Sequence, residues 1–131
     1  RAGSTAPYSF GEIFSQEFAN CRVTDPGREL SKSGGLAEAG SRGLANSFGL
    51  FDMHGNVQEW CQDVWHNNYQ GSPTDGSAWV SNGKKKVLRV LRGGAWSTEG
   101  ERCRSSERDY APQDSASAGV GFRVVLELAA K

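Results

Sequence analysis

Asn46-Ser47-Phe48-Gly49-Leu50-Phe51-Asp52-Met53-His54-Gly55-Asn56-Val57-Gln58-Glu59-Trp60 is the stretch on which the reading of this chain turns. It places a glycine turn, two carboxylates and an aromatic anchor within one short loop, and such a loop is built to be rigid. Gly55 followed by Asn56 suits a backbone position with positive φ, which glycine adopts without steric cost and asparagine tolerates. Asp52 and Glu59 flank the turn, which can aim the carbonyls of Gly55 and Val57 at a point between them. Hard oxygen donors of mixed side-chain and backbone origin suit Ca²⁺. The same residues also permit a plainer arrangement, in which Asp52 caps the turn through backbone amides and Glu59 is surface charge.

Further along, Val90-Leu91-Arg92-Gly93-Gly94-Ala95-Trp96 and Gly121-Phe122-Arg123-Val124-Val125 repeat the style of short strand, glycine, aromatic and arginine. Val120, Phe122, Val124, Leu126 and Leu128 alternate with other residues at a period of two, which predicts a last strand with one apolar face. Residues 87–92 predict a second strand after an Asn82-Gly83 turn. Seventeen glycines interrupt every apolar run, so the expectation is short strands and structured loops with little helix. Glu12 to Phe18 offers only weak helical spacing. Residues 97–119 are mostly Ser, Ala, Glu, Asp and Arg with no period of 2 or 3.6, and read as a long loop; 22–44 is a similar polar connection. Loops of that length inside a compact domain are usually functional or disordered, which makes 97–120 the first candidate for a binding surface.

A chain of 131 residues fits one domain. Fifteen Lys plus Arg balance fifteen Asp plus Glu, so no global field draws in nucleic acid or an anionic membrane, and no nucleic-acid partner is expected. Lys84-Lys85-Lys86 reads as a solvated hairpin tip. The mean hydropathy of −0.57 and the lack of any apolar run near the ~20 residues of a membrane helix predict a soluble chain without membrane insertion. The first residues lack the pattern of a targeting segment, and the compartment is not indicated. Cys21, Cys61 and Cys103 are too widely spaced for a zinc motif or a disulfide framework and read as buried or half-buried thiols. Trp60, Trp65, Trp79 and Trp96 read as core or half-core anchors. His54 and His66 have no paired nucleophile and read as solvent-facing or local hydrogen-bonding groups. Arg92, Arg104, Arg108 and Arg123 read as structural arginines tying loop carbonyls together.

The ordered motifs G-L-F-D-M-H-G-N-V-x-E-W, R-G-G-x-W and G-F-R-V resemble the formylglycine-generating enzyme (sulfatase-modifying factor) family over nearly the whole chain, from Arg1-Ala2-Gly3-Ser4 to the final strand. The resemblance implies an α+β, C-type-lectin-like fold. It implies a calcium ion held by the side chains of Asp52 and Glu59 and the carbonyls of Gly55 and Val57, and a second site beginning at Asn20 and Cys21. It further implies that residues 1–131 form the C-terminal portion of one domain, since the family carries a strand and two helices ahead of the R-A-G-S segment; the apolar face left over should need that missing N-terminal half as its partner. Active members bind copper through two cysteines shortly after the R-G-G segment. Thr98 stands where the first belongs, and the loop is too short for the second. No copper is expected, because a soft-ligand site needs the thiolate pair.

Two functions follow from the resemblance. One is a non-catalytic domain that displays residues 97–120 to a protein or other macromolecular ligand, as do relatives that are variable proteins of diversity-generating retroelements. Its candidate ligand-binding residues are Ser97, Thr98, Glu99, Glu101, Arg102, Ser106, Asp109, Tyr110, Gln113, Ser115 and Ser117. The alternatives are an invariant accessory or sensor domain, or a relative of the formylglycine-generating oxidase that uses another metal or a partner domain.

Overall fold

The computed structural model describes residues 3–23, 35–42, 44–80 and 86–126. Four strands form one sheet: β1 (Gln58–Val64), β2 (Leu88–Arg92), β3 (Asp109–Pro112) and β4 (Val120–Gly121), in the order β3-β2-β1-β4. Among the described residues the helical content is a single 3₁₀ turn, Gly100–Cys103. β1 is central. It runs antiparallel to β2, with Glu59 opposite Arg92 and Trp60 opposite Leu91, and parallel to β4, with Glu59 beside Gly121. β3 closes the β2 edge in a four-residue register that pairs Val90 with Tyr110 and Leu91 with Asp109. Pro112 ends that edge strand, where a missing N–H costs no ladder bond.

The long loop expected over 97–119 is therefore partly ordered: the 3₁₀ turn and β3 both lie within it. The strand over 87–92 is present as 88–92. Residues 12–18 form bends and turns without a helix. The expected last strand pairs only at Val120–Gly121, and its apolar alternation continues with Phe122, Val124 and Leu126 largely exposed, 75% for Phe122. The Asn82-Gly83 turn, Lys84, Lys85 and Leu128 lie outside the described residues.

The core sits where the N-terminal segment crosses the turn after Trp96. Tyr8, Ala19, Cys21, Val90, Leu91, Ala95 and Cys103 are buried, with Phe10 and Phe14 packed against the Ala19–Cys21–Cys103 cluster. Tyr8 stacks on Phe10 at 5.1 Å and meets Phe14 and His54 edge-on, an arrangement favoured by the aromatic quadrupole. Backbone bonds lock the crossing. Arg22 N–H donates to Thr98 O at 2.8 Å, Gly100 N–H to Arg22 O at 3.1 Å, and Ser105 N–H to Pro7 O at 2.7 Å. Gly100 has no room for a side chain, since a Cβ there would lie 2.6 Å from the Phe14 ring.

Candidate functional site

The Asp52–Trp60 loop feeds directly into β1, which fixes its far end in the sheet. Its backbone is left-handed at Asp52 (φ 55), Gly55 (φ 82) and Asn56 (φ 67), as the Gly-Asn turn predicts. Asn56 is a buried hub. It accepts from Ala37 N–H and Asn20 Nδ2 and donates Nδ2–H to Ala37 O, which ties the loop to two other segments. An amide bonded through both its oxygen and its nitrogen specifies one arrangement because an unmade bond here is costly.

A guanidinium engages one of the two carboxylates, Glu59. Both Glu59 oxygens accept from Arg123, with Nε at 2.6 Å, and Arg123 Nη2 also donates to Phe51 O at 3.0 Å. The Glu59 bond, and a smaller contribution from Asp52, raise the Arg123 guanidinium above its usual range. One Asp52 oxygen takes the Gly40 amide at 2.6 Å, and the other holds no hydrogen bond among the described residues. The expected calcium donors thus fit only in part: Asp52 has a free oxygen, whereas Glu59 is committed to Arg123. At the expected second site a guanidinium again takes part. Asn20 donates Nδ2–H to Gly35 O and Asn56 Oδ1, and its Oδ1 lies 3.5 Å from Arg42 Nη2. The Cys21 carbonyl accepts from Gln16, and its thiol is buried against Cys103. Among the described residues no three His, Cys, Asp or Glu side chains gather around one point.

His54, expected in solvent or a local bond, is instead 5% exposed and bridges distant segments. Its Nε2 accepts from the Ser9 amide at 2.9 Å, so the ring proton is on Nδ1, which donates to Cys103 O at 2.7 Å. Burial lowers its pKa, partly offset by the bond to the Cys103 carbonyl. Cys103 and Cys21 form a thiol pair in the core, as the buried-thiol reading expects.

The candidate binding residues divide by how they are held. Thr98 Oγ1 accepts from Ala95 N–H and serves its turn; Glu99 pairs with Arg22; Arg102 pairs with Glu107; Asp109 accepts from Gln58 and Tyr110. Ser115 donates to Pro112 O, and Ser117 Oγ accepts from Gly119 N–H, both local bonds. Ser97, Glu101, Ser106, Tyr110 and Gln113 are exposed, with Tyr110 48% exposed on edge strand β3. Sequence reading did not anticipate what lies beside them. Arg108 places its guanidinium 4.6 Å from the Trp65 ring and 4.3 Å from the Tyr69 ring, and Trp65 packs on Tyr110 at 4.6 Å. Aromatic and basic residues far apart in sequence offered no local signal for this cluster.

The family model for the sulfatase-modifying factor enzyme 1-like domain matches residues 4–128. The chain belongs to this family. Among curated relatives, a formylglycine-generating enzyme from Mycobacterium tuberculosis is 29% identical over 97% of this chain and 47% of its own length. A serine/threonine-protein kinase pkn1 from Chlamydia caviae is 34% identical over 60% of this chain but only 13% of its own length. The solved structure of PvdO from Pseudomonas aeruginosa superposes with a TM-score of 0.75 at 34% identity, over 93% of this chain and 46% of that one. Treponema denticola variable protein 1 superposes at 0.67 with 24% identity, over 92% of this chain and 41% of that one, which speaks to the fold alone. The chain thus spans half or less of the length of these relatives. Thr98, expected from the resemblance to stand where a first copper cysteine belongs, has its hydroxyl oxygen taken by the Ala95 amide. No helix among the described residues is long and apolar enough to cross a membrane.

Proposed function

We propose that this domain is a non-catalytic ligand-binding module on a C-type-lectin-like scaffold, which presents residues 97–120 to a protein partner in the manner of a diversity-generating-retroelement variable protein. The observation that carries this reading is the seating of β3. Four register pairs with β2 hold its backbone, yet Tyr110 projects as an exposed aromatic at the sheet edge, beside exposed Ser106 and Gln113. A rigid backbone that carries exchangeable exposed side chains can change specificity without disturbing the fold. The likeness to the Treponema denticola variable protein is compatible with the same use of the fold. In this reading the exposed apolar run Phe122–Leu126 packs against a further, N-terminal part of the same domain, since the relatives are about twice as long. A calcium ion held by Asp52, Glu59 and the Gly55 and Val57 carbonyls would require Arg123 to release Glu59.

The test pairs binding with stability. Substituting Ser106, Tyr110 and Gln113 together should change which partners a displayed-protein panel captures while shifting the melting temperature by no more than a surface change does, within about 0.5 kcal/mol each. Unfolding of that variant would argue for structural residues and against the proposal. A reverse transcriptase gene nearby, with a near-copy of the codons for 97–125, would supply independent support; copper-dependent oxygen uptake with a cysteine peptide would instead favour an oxidase.

A further inference from the structure

Arg92 and Arg108 both contribute to the lining of one small cleft between β1, β2 and the turn before β3, a space of about 170 Å³. Arg108 is half-buried and makes no hydrogen bond or ion pair among the described residues; its guanidinium lies instead over the ring faces of Trp65 and Tyr69. Stacking of this sort uses the flat faces of a guanidinium and leaves its N–H edges unused. Arg92 lines the same cleft. Its Nη2 donates to Ser105 O at 2.6 Å, while its Nη1 is shut off from solvent with no partner. A buried donor without an acceptor is rare and costs about 1–3 kcal/mol, so it marks a place where an acceptor is missing.

The cleft holds one opposing charge. Asp63 lines it, but one of its oxygens takes the Trp79 amide at 3.0 Å and it pairs with neither arginine. Cys61, also in the lining, is a neutral thiol because burial raises its pKa. Two arginines against one aspartate give the lining a positive balance. Its volume suits a single planar anion.

We propose that the Arg92–Arg108 cleft is a carboxylate subsite, which receives an aspartate or glutamate side chain from the protein partner bound at the neighbouring 97–120 surface. The inference rests on that reading for the source of the carboxylate. A carboxylate suits the donors because its two oxygens can take parallel N–H bonds from a guanidinium edge. Tyr69 lines the cleft and Tyr110 packs on Trp65 beside Arg108; both are exposed aromatics of the kind enriched at interface hot spots.

The reporters are in place, since Trp65 carries Arg108 and Trp79 lines the cleft. Titration with N-acetyl-glutamate amide should change tryptophan fluorescence saturably, with a weaker response at high salt. The isosteric N-acetyl-glutamine amide should give no response. Arg108→Gln should weaken the glutamate response about tenfold or more, the scale of one charged hydrogen bond, and Arg108→Lys should restore part of it. A flat titration on protein that melts normally would overturn the subsite and leave the 97–120 reading standing. Saturation with inorganic phosphate in preference to the carboxylate would also overturn it. Saturable carboxylate binding, combined with partner binding that ignores substitutions at 106, 110 and 113, would keep the subsite and remove the surface reading on which its protein source depends.

Discussion

Cys21 and Cys103 pack together in the buried core cluster, joining the N-terminal segment to the 3₁₀ turn that follows Trp96. The neighbouring Cys103 thiol first, and burial second, push the Cys21 thiol far above its usual range. A thiol so protonated is a poor nucleophile, because the thiolate is the reactive form. Cys61 differs in being only half-buried.

Native protein should therefore expose one class of reactive thiol. A water-soluble thiol reagent should modify Cys61 slowly, and Cys21 and Cys103 only after denaturant is added. Peptide mapping of the labelled protein reads this directly. Labelling of Cys103 at the Cys61 rate would contradict the packing. Cys103→Ser should lower stability by about 1–3 kcal/mol through a buried hydroxyl whose bonds are imperfect.

His54 makes stability depend on pH with a definite sign. Its ring is satisfied only when neutral, because Nε2 must accept from Ser9 N–H while Nδ1–H donates to Cys103 O. Burial lowers its folded pKa below the unfolded value near 6.5. The unfolded chain then binds more protons between those two values, and stability falls as pH drops through 6.5 toward the folded pKa. Urea midpoints from pH 8 to 5 should decline in wild type and decline less in His54→Gln. Parallel profiles would assign the acid sensitivity to other groups.

Much of the Asp52–Trp60 loop was legible because its chemistry is local: the positive φ at Gly55 and Asn56 follows from residue type alone. The pairing of Glu59 with Arg123 was not, since nothing in either neighbourhood names the other. β1 escaped notice for a related reason. Gln58, Trp60, Gln62 and Val64 alternate with Glu59, Cys61 and Asp63, so neither face is cleanly apolar, and in the sheet both faces are half-covered. β3 is four residues of an edge strand, too short for any period to show. The alternation after Val120 was legible as a pattern, yet the end of its pairing at Gly121 was not, since periodicity reports a face and not its neighbour.

Arg123 and a divalent cation compete for Glu59. Removing the guanidinium in Arg123→Ala leaves two carboxylates beside the Gly55 turn, and calcium should then raise the melting temperature more in the variant than in wild type by mass action. Asp52→Ala in that background should remove the response. Equal calcium responses in wild type and Arg123→Ala would show that Glu59 is not shared between them. A response that survives Asp52→Ala would place any calcium elsewhere.

Gly55 and Gly76 separate two costs that positive φ usually confounds. Their φ angles are nearly equal, at 82° and 85°. A Cβ on Gly76 meets nothing within 4 Å, whereas one on Gly55 would lie 2.4 Å from the Asn20 carbonyl oxygen and 2.5 Å from Cys21 Sγ. Gly76→Ala should therefore lose only the left-handed backbone penalty, about 1–2 kcal/mol. Gly55→Ala should lose that and the displacement of Asn20 backbone and the Cys21–Cys103 pair, about 2–5 kcal/mol together. Denaturant unfolding of the two variants reads the difference. Equal losses would mean that the Asn20–Gly55 bridge yields freely, and that the loop is held by its own turn and not by the core against which it lies.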